Sequence, residues 1–202
     1  MKTFFLVVLV VLCHSVVINA QNQQGQSIIG VNAAYSTISA IGGLLNVFEV
    51  EEEVGYSYTP AYQLTYDYAI ADMFSMGAAL SYQRFTFRYT DYGDNLENFN
   101  VKISRANFST RFLVHYGGDG NFDLYSGLRA GITSWSVDVG TASTGFIPPI
   151  ATAIAFAPQV ILFGARGYFS DRLGINGEIA IGPPYLVAVG LSYRIEGKNS
   201  GY

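Results

Sequence analysis

Charge is the first scarcity of this chain. Only 13% of its 202 residues are Asp, Glu, Lys or Arg, roughly half of what an ordinary globular domain carries. The net charge of -4 provides no basic surface for nucleic acid, and a chain that is 50% hydrophobic is not a disordered one. Cysteine occurs once, at Cys13, and histidine twice, at His14 and His115. One cysteine excludes an intrachain disulfide, and a single histidine beyond residue 20 excludes a histidine-cysteine metal cluster. No apolar run after Ala20 reaches the roughly 20 residues of a membrane-spanning helix. What the chain has instead is 22 Gly, 15 Tyr and 14 Phe, a composition that favours strands over helices.

The first twenty residues read as an export address. Lys2 supplies the charge, Phe4 to Cys13 the apolar run, and Ala20 a small residue before the polar Gln21-Asn22-Gln23-Gln24. Leu12 precedes Cys13 where a lipoprotein signal needs a small residue, so Cys13 belongs to the leader. The expected division is a removed signal peptide, 1–20, and one domain, 21–202, with a short C-terminal tail.

Beyond the leader, apolar residues recur with period two in eight segments of strand length. They span Ser27–Thr37, Tyr58–Ile70, a third from Ser75, Ile103–Tyr116, Phe122–Trp135, Phe156–Phe169, Gly174–Gly182 and Tyr185–Ile195. In the second, Tyr62, Leu64, Tyr66, Tyr68 and Ile70 alternate with Gln63, Thr65, Asp67 and Ala69. In the third, the phase slips past Tyr82, which predicts a bulge or an exit from the apolar zone. The sixth sets Ile161, Phe163, Ala165 and Phe169 against Val160, Leu162, Gly164, Arg166 and Tyr168. Short links (71–74, 117–121, 170–173) alternate with long ones (38–57, 89–102, 136–155), and a further short link lies at Gly182-Pro183-Pro184. Short turns at one end and long loops at the other describe an all-β, eight-stranded, antiparallel up-and-down transmembrane β-barrel.

Charge segregation assigns the faces. Asp67, Arg111, Arg129, Arg166, Glu178 and Arg194 all fall on the face rich in Gly, Ala, Ser and Thr. An arginine at the middle of a bilayer costs about 2–4 kcal/mol, so this face is expected inside and the apolar face in lipid. These six residues are the expected luminal polar cluster, with a structural role and an Arg166–Glu178 pair across neighbouring strands. Tyr58, Tyr62, Tyr66, Tyr68, Tyr82, Tyr116 and Tyr193 are expected at the strand ends as interfacial girdles. On this assignment, Arg111→Leu should be tolerated far better than Phe112→Arg.

The chain resembles the small eight-stranded outer-membrane barrels of the OmpA, OmpX and OmpW type, over Gln21 to Ile195. Its last strand, Gly190-Leu191-Ser192-Tyr193-Arg194-Ile195, resembles the C-terminal signal read by the barrel-assembly machinery, with Gly190, Tyr193 and Ile195 at the signal positions. Ile195 stands where an aromatic is usual, and seven residues follow it. Tyr66-Asp67-Tyr68 through Phe74-Ser75-Met76-Gly77 resembles a hairpin of porin-family barrels. The resemblance implies residence in the outer membrane of a Gram-negative cell envelope. It also implies contact with outer-membrane lipid and lipopolysaccharide, and periplasmic chaperones during biogenesis.

Chemistry is sparse. No catalytic residue, cofactor or metal site is expected, no Ser-His-Asp set is expected to assemble, and His115 reads as an interfacial polar residue near the short-turn rim. Glu49, Glu51, Glu52 and Glu53 form a solvated acidic run. Phe146, Ile147 and Ile150 make an unusually apolar loop, as contacts do. The reading is a non-enzymatic outer-membrane barrel with an envelope or surface-contact role, not an open general porin. Two alternatives stay open: passage or binding of small hydrophobic molecules, as the OmpW type implies, and a soluble secreted lipocalin-like barrel around a lipophilic ligand.

Overall fold

The computed structural model describes residues 22–40, 54–92, 97–117, 121–141 and 151–197. The expected leader, the acidic run, the loop residues Phe146, Ile147 and Ile150, and the last five residues lie outside the described residues. Ten strands are present: β1 (Ser27–Tyr35), β2 (Val54–Tyr58), β3 (Ala61–Ala71), β4 (Phe74–Tyr92), β5 (Glu97–Gly117), β6 (Phe122–Thr141), β7 (Ala151–Phe156), β8 (Gln159–Tyr168), β9 (Leu173–Ile181) and β10 (Val187–Ile195). Every pairing is antiparallel, and β1 pairs with both β3 and β10, which closes the barrel.

Ten strands make eight staves. β2 continues the stave of β3 across Thr59-Pro60, and β7 continues that of β8 across Ala157-Pro158. Proline has no N–H for the ladder, so each stave breaks there. The residue before each proline keeps its bond: Thr59 N donates to the Arg84 carbonyl at 2.9 Å and Ala157 N to that of Gly131 at 2.8 Å.

Through the closed barrel the polarity is that of a membrane barrel. Val31, Leu64, Leu80, Phe108, Phe112, Leu128, Ile175 and Val189 point outward and are about half exposed, whereas Asn32, Gln63, Thr65, Asn107, Ser109 and Thr133 point inward and are buried. A barrel of eight staves has just enough interior for side chains to fill it.

Beyond Tyr82 this polarity inverts. The β4–β5 register runs unbroken from Phe74↔Val114 to Tyr89↔Phe99, so no bulge causes the change of pattern. Gln83, Phe85 and Phe87 continue on the inward face, with Phe85 only 1% exposed. The inward face of β5 likewise passes from Arg105 to Ile103 and Val101, and that of β6 from Thr133 to Trp135, Val137 and Val139. Outward positions become Arg84, Arg88, Lys102 and Asp138. Five strands, β2-β4-β5-β6-β7, thus rise past the closed barrel as a half-shell; its concave face is apolar and its convex face polar on β2, β4, β5 and β6, whereas β7 turns alanines inward and Ile154 and Phe156 outward. Among the described residues β2 pairs only with β4 and β7 only with β6, so both edges are open.

Three sequence expectations change here. The long links are shorter than expected, because β2, β4, β5, β6 and β7 occupy much of them. Tyr58 opposes Phe85 and shares its face, since the break at Thr59-Pro60 shifts the phase of β2 against β3. The sixth segment holds both phases: Ile161 is inside, Leu162 and Phe163 are both outside, and Arg166 is inside. The extra residue is a bulge, marked by register shifts against both neighbours, and Ser126 Oγ donates into it at the Leu162 carbonyl, 2.6 Å away.

Phe112→Arg places a cation on the apolar outer belt, and an expected loss of about 2–4 kcal/mol in bilayers follows. Lys102→Glu, on the same face of the same strand but beyond the belt, should change stability by less than about 0.5 kcal/mol. Denaturant midpoints of the barrel folded in lipid vesicles check both; equal shifts would refute the position assigned to the belt.

Candidate functional site in the lumen and at its mouth

The lumen is filled by one connected ion network. Arg111 of β5 sits between two carboxylates, its Nη2 2.7 Å from Glu178 Oε1 on β9 and its Nε 2.9 Å from Asp67 Oδ1 on β3. Asp67 and Arg111 are separated by one strand, and Gly77 of β4 lies between them in register. A Cβ at Gly77 would collide with Asp67 and the Tyr66 carbonyl, so glycine is what lets the guanidinium cross β4. Arg166 of β8 reaches Asp67 Oδ2 at 2.5 Å and Asp123 Oδ2 at 3.5 Å. Glu178 also accepts from the phenols of Tyr125, at 2.7 Å, and Tyr185.

The expected Arg166–Glu178 pair is not formed. The β8–β9 register sets Asn176 opposite Arg166 and Gly164 opposite Glu178. The Tyr125 ring occupies the space that a side chain at Gly164 would take, and Arg166 stacks over that ring at 4.3 Å. Of the six expected luminal residues, Asp67, Arg111, Arg166 and Glu178 therefore join in one network. Arg129 is luminal but bonds Ser109 and Gln159 and lies over Tyr185. Arg194 is apart from them, over the Tyr168 ring at 3.5 Å.

At the short-turn end the structure overturns another expectation. Ser75, His115 and Asp123 do assemble: His115 Nδ1 lies 2.8 Å from Asp123 Oδ1 and its Nε2 2.8 Å from Ser75 Oγ. This is the order of contacts of an acyl-transfer triad. Each member is nevertheless almost wholly buried, at 1%, 0% and 3% exposure, and the second oxygen of Asp123 faces Arg166. His115 is thus a luminal residue that extends the ion network to the turn, not an interfacial one. Among the described residues no three His, Cys, Asp or Glu are grouped to hold a metal ion.

At the opposite end two short segments fold into the barrel. Ser36 caps a helical turn, its Oγ accepting from Ser39 N at 3.2 Å, and Ser39 Oγ accepts from Gln83. The β9–β10 link turns inward at Gly182 (φ +105°), which buries Tyr185 completely beside Glu178. Arg105 closes this layer, donating to Gln83 Oε1 at 2.7 Å and to the Pro184 carbonyl at 2.5 Å. Its guanidinium lies 5.5 Å from the ring centroid of Trp135 and 6.0 Å from that of Phe85.

Gly190, Tyr193 and Ile195 all lie on β10. Gly190 faces inward against Asn32, while Tyr193 and Ile195 face outward opposite Ile29 and Ser27.

The network revises the comparison of Arg111→Leu with Phe112→Arg. Leucine at 111 leaves Asp67 and Glu178 facing each other's surroundings without their shared cation, and breaking such a buried pair costs about 3–5 kcal/mol. Arg111→Leu is therefore expected to be at least as damaging as Phe112→Arg. Adding Glu178→Gln to Arg111→Leu should recover part of the loss, because it removes a buried unpaired charge. Unfolding in lipid vesicles measures all three; additive losses in the double variant would refute the pairing.

No protein-family model and no curated protein sequence matches the chain. Solved structures do. The outer membrane protein OprG of Pseudomonas aeruginosa aligns over 88% of this chain and 99% of its own, with 13% identity and a TM-score of 0.55. Ail, the attachment invasion locus protein of Yersinia pestis, solved in complex with the heparin analogue sucrose octasulfate, aligns over 86% and 100% with 13% identity and a TM-score of 0.47. The N-terminal β-barrel domain of Pseudomonas aeruginosa OprF aligns over 85% and 98% with 14% identity and a TM-score of 0.42. At TM-score 0.55, the OprG alignment carries the conclusion about architecture: this chain has the fold of the small eight-stranded outer-membrane barrels.

Proposed function

We propose that the chain is an exported, non-enzymatic integral protein of the Gram-negative outer membrane. On this reading the barrel is an anchor sealed by its own ion network, and the half-shell at its mouth takes up small apolar molecules from outside. The single observation behind this reading is the inversion of polarity past Tyr82. Apolar side chains face outward where lipid would solvate them and inward where the strands rise beyond it. A soluble lipocalin-like barrel needs the second arrangement throughout, and here it is confined to the upper parts of β2, β4, β5 and β6.

Lumen filling favours surface capture over an open pore. Arg111, Tyr125, Tyr185 and Gln159 are each at most 2% exposed and occupy the barrel interior. Lipid and lipopolysaccharide are the expected partners of the outer belt, and Gly190, Tyr193 and Ile195 the expected assembly signal. A role in envelope maintenance needs only the anchor; the apolar concave face is what favours a ligand.

Trp135 is the sole tryptophan and lies on that concave face, so its fluorescence reports on the half-shell. In purified barrel folded in zwitterionic vesicles, bromine-labelled decanol should quench Trp135 saturably, and planar bilayers should show no conductance steps. The protein should remain in the outer-membrane fraction and change gel mobility on boiling. Stable conductance would refute the sealed lumen. Quenching no greater than lipid-dissolved probe gives would refute capture, and solubility without detergent would refute the membrane anchor.

A further inference from the structure

The half-shell has a charged floor. Four buried arginines, Arg105, Arg111, Arg129 and Arg166, share the interior with three buried carboxylates, Asp67, Asp123 and Glu178. The carboxylates are all engaged by Arg111, Arg166 and His115. Among the described residues none lies within ion-pairing distance of Arg105 or of Arg129; Arg129 is held inside the closed barrel by Ser109 and Gln159, and Arg105, 4% exposed, is the one at the mouth. A desolvated cation without a counter-charge is costly, and hydrogen bonds to a neutral amide and a carbonyl compensate it only in part.

The position of Arg105 gives that imbalance a direction. In register it lies between Gln83 on β4 and Trp135 on β6. The next inward positions toward the rim are Phe85, Ile103 and Val137, all apolar. Trp135 and Phe85 flank the guanidinium at 5.5 and 6.0 Å, which orients it and keeps it from water. One face of the shell thus offers an apolar wall ending on a single uncompensated cation, the complement of a molecule with an apolar chain and an anionic end.

We propose that the half-shell holds a single-chain amphiphile with a carboxylate head, its chain along the apolar wall and its head on Arg105. This rests on the reading of the half-shell as an apolar capture site and names the class of ligand that site takes. A carboxylate suits the site because a guanidinium binds it through charge-assisted, bidentate hydrogen bonds, which an alcohol cannot form.

The test compares bromine-labelled decanoate with bromine-labelled decanol as quenchers of Trp135, in zwitterionic vesicles, for the full chain and for Arg105→Met and Arg105→Lys. Retained gel-mobility shifts confirm that each variant is folded. The expected result is decanoate binding about tenfold or more tighter than decanol in the unaltered protein. Arg105→Met should abolish the difference and leave decanol binding unchanged, and Arg105→Lys should retain part of the preference. Equal binding of the two probes overturns the carboxylate assignment and leaves apolar capture standing. A preference that survives Arg105→Met overturns the role of Arg105. Absence of saturable quenching by either probe overturns both readings, and the unaltered protein alone decides that outcome.

Discussion

The salt bridge of Arg111 with Asp67 and Glu178 is the constraint on which the rest of the lumen depends. It ties β5 to β3 and β9, which are not neighbours in the sheet, so it braces the barrel across its interior. Everything around it is arranged to make that pairing affordable inside a low-dielectric space. Gly77 clears the path, Tyr125 and Tyr185 fill the remaining acceptor sites of Glu178, and Arg166 passes the second oxygen of Asp67 on to Asp123 and His115. A buried charge network of this kind is costly when broken and fills the space through which a solute would have to pass.

On the proposed reading the lumen is sealed, which moves any ligand chemistry to the mouth. There one physical rule, the period-two alternation of strands, is read against two different surroundings. The inward face carries Ser109 and Arg111 in the closed barrel and Ile103 and Val101 in the half-shell, on the same strand and in unbroken register. The outward face changes in the opposite sense, from Phe112 and Phe108 to Ser104 and Lys102. The two zones meet at Arg105 and Gln83, the layer that also receives the inward-turned Pro184. Function on this account belongs to the boundary between an anchor and an open shell.

Much of this was legible in the sequence, and the reason is geometric. Side-chain direction in a strand follows from position alone, so the inward placement of Asp67, Arg111, Arg129, Arg166, Glu178 and Arg194 could be read from alternation. Partner choice could not, because it depends on register and on gaps left by glycine. Arg166 and Glu178 are on adjacent strands yet two rungs apart, while Arg111 and Asp67 meet across Gly77. The Ser75–His115–Asp123 contacts were hidden for the same reason: three inward residues on three strands meet only when pairing is known. The slip past Tyr82 was visible as a change of pattern, but alternation cannot distinguish a bulge from a change of solvent. Phe156 to Phe169 shows the converse, where a real bulge at Leu162–Phe163 passed as one phase. Tyr125, Tyr185 and Arg105 lacked any motif; the usable signal was that each shares a face or a link with the charged positions.

Paired cysteine labelling tests the central claim most directly, because Cys13 is the only native cysteine and belongs to the expected leader. Lys102→Cys, Phe108→Cys and Ser109→Cys sample the convex face of the half-shell, the outer belt and the lumen, all on β5. With the protein in outer-membrane vesicles and a membrane-impermeant maleimide, the account predicts rapid labelling at 102 and none at 108 or 109. Labelling at 108 comparable to that at 102 would place the belt in water, and ready labelling at 109 would open the lumen; either would contradict the account.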